Sequence, residues 1–252
     1  MWFDSHSHLY ELDDVDGVVA KARRAGVANI VALGVDPVTS GRAAELAAAT
    51  EGVWAAAAVH PTSAAGWDDS WCDAISRLLE DPKVVAVGES GIDLYWDTSF
   101  VDDQRAAFAA HIELAKRFSK PLVIHTRESF EVALDVLRSE GPPPALVFHC
   151  WTGNADDLRE ALAIGAHVSF AGNVSFKKND ELRAVAALVP EDRLLVETDS
   201  PYMTPHPHRG KPNDPSYLPL VGAAVAAARD VSVGEIEALT DRNAKTLFGI
   251  AT

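Results

Sequence analysis

The stretch Trp2-Phe3-Asp4-Ser5-His6-Ser7-His8 opens the chain, and its reading decides the fold. Trp2 and Phe3 predict a buried strand over Trp2–His6. Side chains of a strand alternate between faces with a period of two, so Asp4, His6 and His8 are expected to point the same way. Two imidazoles leaving one strand end toward one point begin a divalent-metal site. The alternative is a pair of capping or surface histidines. The deciding test is whether later strands end in matching ligands.

The rest of the chain repeats one alternation of short apolar runs and helical segments. Further strands are expected at Asn29–Leu33, Val53–Val59, Val84–Val87, Pro121–Ile124, Ala145–Phe148, His167–Phe170 and Arg193–Val196. Helices are expected at Val15–Ala25, Val38–Ala49, Ser70–Leu79, Asp102–Phe118, Phe130–Leu137, Asp156–Ile164, Asp180–Leu188, Pro215–Ala228 and Val233–Phe248. Gly26, Asp81-Pro82, Gly141 and Gly165 punctuate them. The strands lack polar alternation, as strands covered on both faces do. Eight strand–helix units predict an α/β protein, a TIM (β/α)8 barrel, and no linker or compositional break divides it, so residues 1–252 are read as a single domain.

Composition narrows the function. With 252 residues and 48% hydrophobic residues the chain can bury a sizeable core. It contains no apolar run long enough for a transmembrane helix, and its start does not have the pattern of a signal peptide. Two cysteines, Cys72 and Cys150, do not make a disulfide framework, and a reducing cytoplasm fits. The net charge of −15 argues against broad, non-specific nucleic-acid binding, which needs a basic face. An anionic substrate stays possible, because bound cations can dominate the local field.

In a barrel of this kind the active site lies at the C-terminal ends of the strands. His6 and His8, Glu89, His125, His149 and Asp199 all fall at or just past such ends, on five different strands. Six ligands suit two metals about 3.5–4 Å apart sharing a carboxylate. Glu89 is the expected bridge, with His6, His8 and Asp199 on one ion and His125 and His149 on the other. Nitrogen and oxygen donors without thiolate suit Zn, Mn or Mg. Arg127 and Arg209 are candidate phosphate-binding residues, since guanidinium forks match phosphate oxygens. Lys211 and Lys177-Lys178 are further cations, the latter pair equally readable as a solvated helix start. His60 ends the third strand and could contact substrate or orient a ligand. Trp151 could stack a base or simply pack. His111 and His167 read as structural, Cys150 as buried packing, and His206 and His208 stay open.

The motifs together resemble the TatD family of metal-dependent deoxyribonucleases. The resemblance runs the whole length: Phe-Asp-Ser-His-Ser-His at 3–8, Val-His-Pro at 59–61, Gly-Glu-Ser-Gly-Ile-Asp at 88–93, Pro-Leu-Val-Ile-His-Thr-Arg at 121–127, Phe-His-Cys-Trp-Thr-Gly at 148–153, Glu-Thr-Asp-Ser-Pro-Tyr at 197–202, Arg-Gly-Lys-Pro-Asn at 209–213 and Asn-Ala-Lys-Thr-Leu-Phe at 243–248. Ser90, and Trp151 after Cys150, depart from the family's usual residues without removing a ligand. The resemblance implies a TIM barrel, a divalent-metal centre and phosphodiester hydrolysis, often 3′→5′ exonucleolytic on DNA. It implies His6, His8, Glu89, His125, His149 and Asp199 as the ligands.

The expected activity is therefore hydrolysis of DNA or a small phosphodiester, with Glu89 and Asp199 catalytic and Asp199 accepting a proton from water. Two alternatives remain. One is an amidohydrolase-like enzyme cleaving an amide, lactone or ester; such barrels often use a bridging lysine from the fourth strand, where this chain has Glu89, while Lys83 sits at the wrong end. The other is a non-catalytic metal-binding protein. No membrane is expected as a partner, and the sequence does not point to any protein partner.

Overall fold

Eight strands succeed one another in hydrogen-bonded order, first to last, as the alternating pattern predicts. In this computed structural model, which describes residues 1–68 and 70–251, they are β1 Trp2–Ser7, β2 Val27–Leu33, β3 Val53–Ala57, β4 Val84–Asp93, β5 Leu122–Arg127, β6 Leu146–Phe148, β7 His167–Phe170 and β8 Leu194–Val196. Nine helices accompany them among the described residues: α1 Val15–Arg24, α2 Pro37–Ala49, α3 Ser70–Leu79, α4 Val101–Phe118, α5 Phe130–Glu140, α6 Ala155–Ala163, α7 Asp180–Leu188, α8 Leu218–Arg229 and α9 Val233–Phe248. The architecture is a (β/α)8 barrel. No helix of the described residues is long and apolar enough to cross a membrane.

The chain divides into two compact units. The first comprises Met1–Val31, His149–Ala163 and His167–Thr252. Here β7 pairs in parallel with β8, and a parallel bridge joins Ser7 at the end of β1 to Ser200. Phe3 stacks on Phe248 of α9 with ring centroids 5.8 Å apart. Trp2 lies so close to α8 that a Cβ at Gly222 would come within 2.0 Å of its ring. A capping box of Ser232 and Glu235 starts α9, and Gly249, at φ 65°, ends it.

The second unit comprises Ala32–Phe148 and Ile164–Ala166. A capping box of Asp36 and Thr39, with Pro37 in the first turn, starts α2. The main departure from expectation is β4. The apolar run ends at Val87, yet the strand continues to Asp93, so Glu89 lies inside it. The reason is pairing with β5: Ser90 aligns with Ile124, Gly91 with His125 and Asp93 with Arg127, after an irregularity between Val87 and Ser90. Polar residues continue a strand when its backbone groups keep their partners. His125 correspondingly lies within β5. Glycine is required at position 91: φ is 152°, and a Cβ there would meet the His125 carbonyl oxygen at 2.0 Å.

His111 has the structural role its helix position suggests. It is fully buried on α4, its Nε2 accepts from the Val59 N–H at 3.0 Å, and its Nδ1 pairs with the Ala107 carbonyl at 2.6 Å. The imidazole thus fixes the chain that leads from β3 into His60. Burial pushes its pKa down from 6.5 to about 4, the Ala107 bond opposing weakly.

Two measurements check this packing. Gly91→Ala is expected to lower stability by roughly 3 kcal/mol by forcing β5 away from β4; a melting temperature unchanged from wild type would contradict the close approach. Between pH 6.5 and 4 the unfolded chain takes up a proton at His111 that the folded protein refuses, so stability falls with falling pH by up to about 3 kcal/mol. Urea unfolding of His111→Gln should show a correspondingly shallower pH slope over that window, and equal slopes would refute it.

Candidate metal centre

Each unit gathers its own group of imidazoles and carboxylates. In the first, β1 delivers His6, the residue just past it is His8, and the chain after β8 delivers Asp199. Backbone bonds set the register: the Asp199 N–H donates to the His6 carbonyl at 2.9 Å, and the His8 N–H to the Ser200 carbonyl at 2.8 Å. The Nε2 atoms of His6 and His8 lie 3.4 Å apart and 3.7 and 3.6 Å from Asp199 Oδ1. His149, just past β6, stacks on His6 with centroids 4.0 Å apart. One donor atom from each of His6, His149 and Asp199 falls within 4.8 Å of the others, and all three residues are buried. The sequence reading grouped His149 with His125; here the ring is instead turned by Glu197, whose Oε1 lies 3.2 Å from His149 Nδ1 and accepts the Cys150 N–H at 2.7 Å. That hold on Nδ1 fixes the ring, as a carboxylate behind a ligating imidazole does.

The second unit places Glu89 and His125 on neighbouring strands, with His60 just past β3. His125 Nδ1 is 3.4 Å from Glu89 Oε2, and His60 Nε2 is 3.9 Å from the same oxygen. The three offer donor atoms within 4.8 Å of one another. His125 Nε2 is taken by Asp93 Oδ2 at 2.9 Å. Asp93 in turn is fixed by its own backbone, with N–H and carbonyl both bonded to the buried amide of Gln104.

Electrostatics separate the carboxylates. Burial alone would raise Asp199, but the hydrogen bond from His8 and the charges of His6, His149 and His8 outweigh it and hold the carboxyl below its usual range. Asp93 shows the same pattern, burial being overcome chiefly by His125. Asp4, expected to face the same way as His6 and His8, turns its carboxylate to Thr198, accepting the backbone N–H at 2.8 Å and the hydroxyl at 2.5 Å. Burial pushes it up to about 8 despite those bonds.

The donor set fits a divalent cation: buried imidazole nitrogens and carboxylate oxygens converge, and carboxylates hold the far nitrogens of His125 and His149. Asp93 and Glu197 carry that second function, which the sequence reading did not assign. For Asp93 a signal was available, since it comes four residues after Glu89, an even spacing along β4; Glu197 lies just past β8, where strand alternation gives no such signal.

Among the other candidates, Arg127 stacks on Tyr95, its Cζ 3.6 Å from the ring centroid. Arg209 stacks on Phe176 at the same distance. Lys177 and Lys178 are exposed. Trp151 is buried and packs. His208 stacks on Tyr217. Cys150 is half-buried, not buried as expected, because its backbone adopts a φ of 44° where it bonds Glu197.

Comparison with known proteins gives the family. The model of the family described as TatD related DNase matches residues 3–249. The chain belongs to this family. It is an enzyme, a metal-dependent hydrolase of the TatD type. It is 40% identical, over 98% of its length and 97% of the relative's, to a protein of Mycobacterium tuberculosis (strain ATCC 25618 / H37Rv) described as an uncharacterized metal-dependent hydrolase TatD. It is 37% identical, over 94% of its length and 92% of the relative's, to the 3′-5′ ssDNA/RNA exonuclease TatD of Klebsiella pneumoniae (strain 342). The crystal structure of YjjV, a TatD homologue from Escherichia coli k12, superposes with a TM-score of 0.93 at 26% identity, covering 99% of this chain and 98% of that one.

If Glu197 aims His149, Glu197→Gln should weaken divalent-ion binding about 10–100-fold. Equilibrium dialysis with Mn²⁺ reads this, with far-ultraviolet circular dichroism controlling for folding. Affinity equal to wild type would remove Glu197 from the site.

Proposed function

We propose that this TatD-family hydrolase removes nucleotides from the 3′ end of single-stranded nucleic acid, DNA foremost. The observation that carries the reading is the pair of imidazole–carboxylate groups, His6–His149–Asp199, all buried, and His60–Glu89–His125, whose two imidazoles are half-buried. Relatives named as exonucleases, matched over nearly the whole chain, support the substrate class. The uninterrupted match from residue 3 to 249 supports reading the chain as one catalytic domain.

The residues fit two divalent ions, Mg, Mn or Zn, with His6, His8, His149 and Asp199 supplying one set of donors and Glu89 and His125 the other. When bound, such ions supply Lewis-acid charge and lower the pKa of a water. The chain's own groups do the rest. Asp199, kept ionised by the surrounding imidazoles, accepts the proton of the attacking water. Water adds to phosphorus as the bond to the leaving sugar oxygen breaks. Arg127 and Arg209 hold phosphate oxygens, and His60 contacts the substrate beside Glu89. In a chain of net charge −15 these few local cations carry the attraction that a basic surface provides elsewhere. The two cysteines, Cys72 and Cys150, suit work in a reducing cytoplasm.

Incubating purified protein with a 5′-labelled single-stranded DNA oligomer and Mg²⁺ or Mn²⁺ is expected to give a ladder shortening from the 3′ end, abolished by EDTA. Glu89→Ala should reduce turnover by at least 10³-fold (on the order of 4 kcal/mol of barrier) while the protein stays folded. No cleavage with any metal, or a lactone or ester hydrolysed faster than DNA, would overturn the nuclease reading.

A further inference from the structure

The turn after β4 carries two neighbouring aromatic residues in water. Tyr95 is 48% exposed and Trp96 64%. Among the described aromatic residues only Tyr202 is comparably open. The two rings meet edge to face, centroids 4.9 Å apart and planes at 87°. Arg127 lies against both, its Cζ 3.6 Å from the Tyr95 centroid and 5.3 Å from that of Trp96. The Arg127 carbonyl accepts the Leu94 N–H at 2.9 Å, fixing the strand and the turn to each other.

This turn is also tied to the candidate metal centre. Asp93 Oδ1 accepts the N–H groups of Tyr95 and Trp96, at 3.0 and 3.1 Å, while its Oδ2 holds His125 Nε2. One buried carboxylate therefore aims a candidate ligand with one oxygen and shapes the aromatic turn with the other. The rings stand on backbone tied to Asp93 and to the Arg127 carbonyl.

We propose that Trp96, held at a right angle to Tyr95, is a stacking platform for a base of the single-stranded substrate, with Arg127, packed on Tyr95, beside it to meet the phosphate. The inference rests on the nuclease reading above and goes further, by naming what holds the base. A strongly acidic chain cannot retain a polyanion through diffuse charge, so affinity must come from local cations and from the faces of the bases. Stacking is tolerant of sequence, because every base has a π-face, but it needs bases free of a complementary strand. The platform thus selects single strands without reading sequence.

The test compares two oligomers of equal length on the Mn²⁺-loaded full chain: oligothymidylate, and a backbone of tetrahydrofuran abasic sites that keeps every phosphate and lacks every base. For wild type, kcat/KM should favour oligothymidylate. Trp96→Ala should lower that preference about tenfold, acting mainly through KM, and Trp96→Phe should restore most of it. An equal loss on both oligomers would assign Trp96 a purely structural role, and an unchanged preference would remove the platform; either overturns the proposal. If wild type cleaves neither oligomer, the nuclease reading has failed on its own. Binding of fluorescein-labelled oligothymidylate then tests the platform separately: wild type no tighter than Trp96→Ala overturns it, and tighter binding that Trp96→Phe retains supports it.

Discussion

A carboxylate gripping the far nitrogen of an imidazole is the contact on which this site depends. A histidine ring on a strand end has two nitrogens and a free torsion, and a ligand needs one nitrogen aimed and the other occupied. Glu197 does this for His149 and Asp93 for His125. Each carboxylate is itself pinned by backbone N–H groups, Cys150 in one case and Tyr95 and Trp96 in the other. The strand geometry answers that need: β4 must run past its apolar segment far enough to bring Asp93 beside His125.

Burying so much acid is costly unless each group finds a partner. The structure settles the matter differently for each carboxylate. Asp93 and Asp199 face imidazoles and are held in the ionised range. Asp4 faces only hydroxyl and amide donors together with the charge of Glu197, and burial carries it toward the protonated acid. Residues of one type thus perform different tasks: one closes the junction between β1 and the end of β8, while the others serve the imidazoles.

The alternating apolar runs made the barrel legible, because short strands covered on both faces leave an unbroken hydrophobic signature that helices interrupt. The histidines and carboxylates at strand ends were legible for a related reason: they are polar residues where the apolar pattern stops. What escaped was set by backbone. The apolar pattern ends at Val87, and nothing in side-chain chemistry says that Gly88–Asp93 continues as strand; that depends on the hydrogen-bond partners β5 offers. The setting of His149 depended on Glu197, a residue far away in sequence. The exposed ring of Trp96 drew no reading, because whether an aromatic ring lies open to water depends on neighbours that the sequence alone does not place.

The seat of the first strand has a consequence for synthesis. Trp2 lies against Gly222, Phe3 stacks on Phe248, and Asp4 bonds Thr198 across 194 residues of chain. Such contacts have the greatest loop-closure cost the chain can offer and form late. A ribosome delivers His6 and His8 well before Thr198, Gly222 and Phe248, the residues that Asp4, Trp2 and Phe3 meet. The Phe3–Phe248 contact that helps seat β1 therefore forms only after α9 has been made. A truncated product ending before α9 carries every candidate ligand in its sequence and lacks Phe248, on which Phe3 stacks.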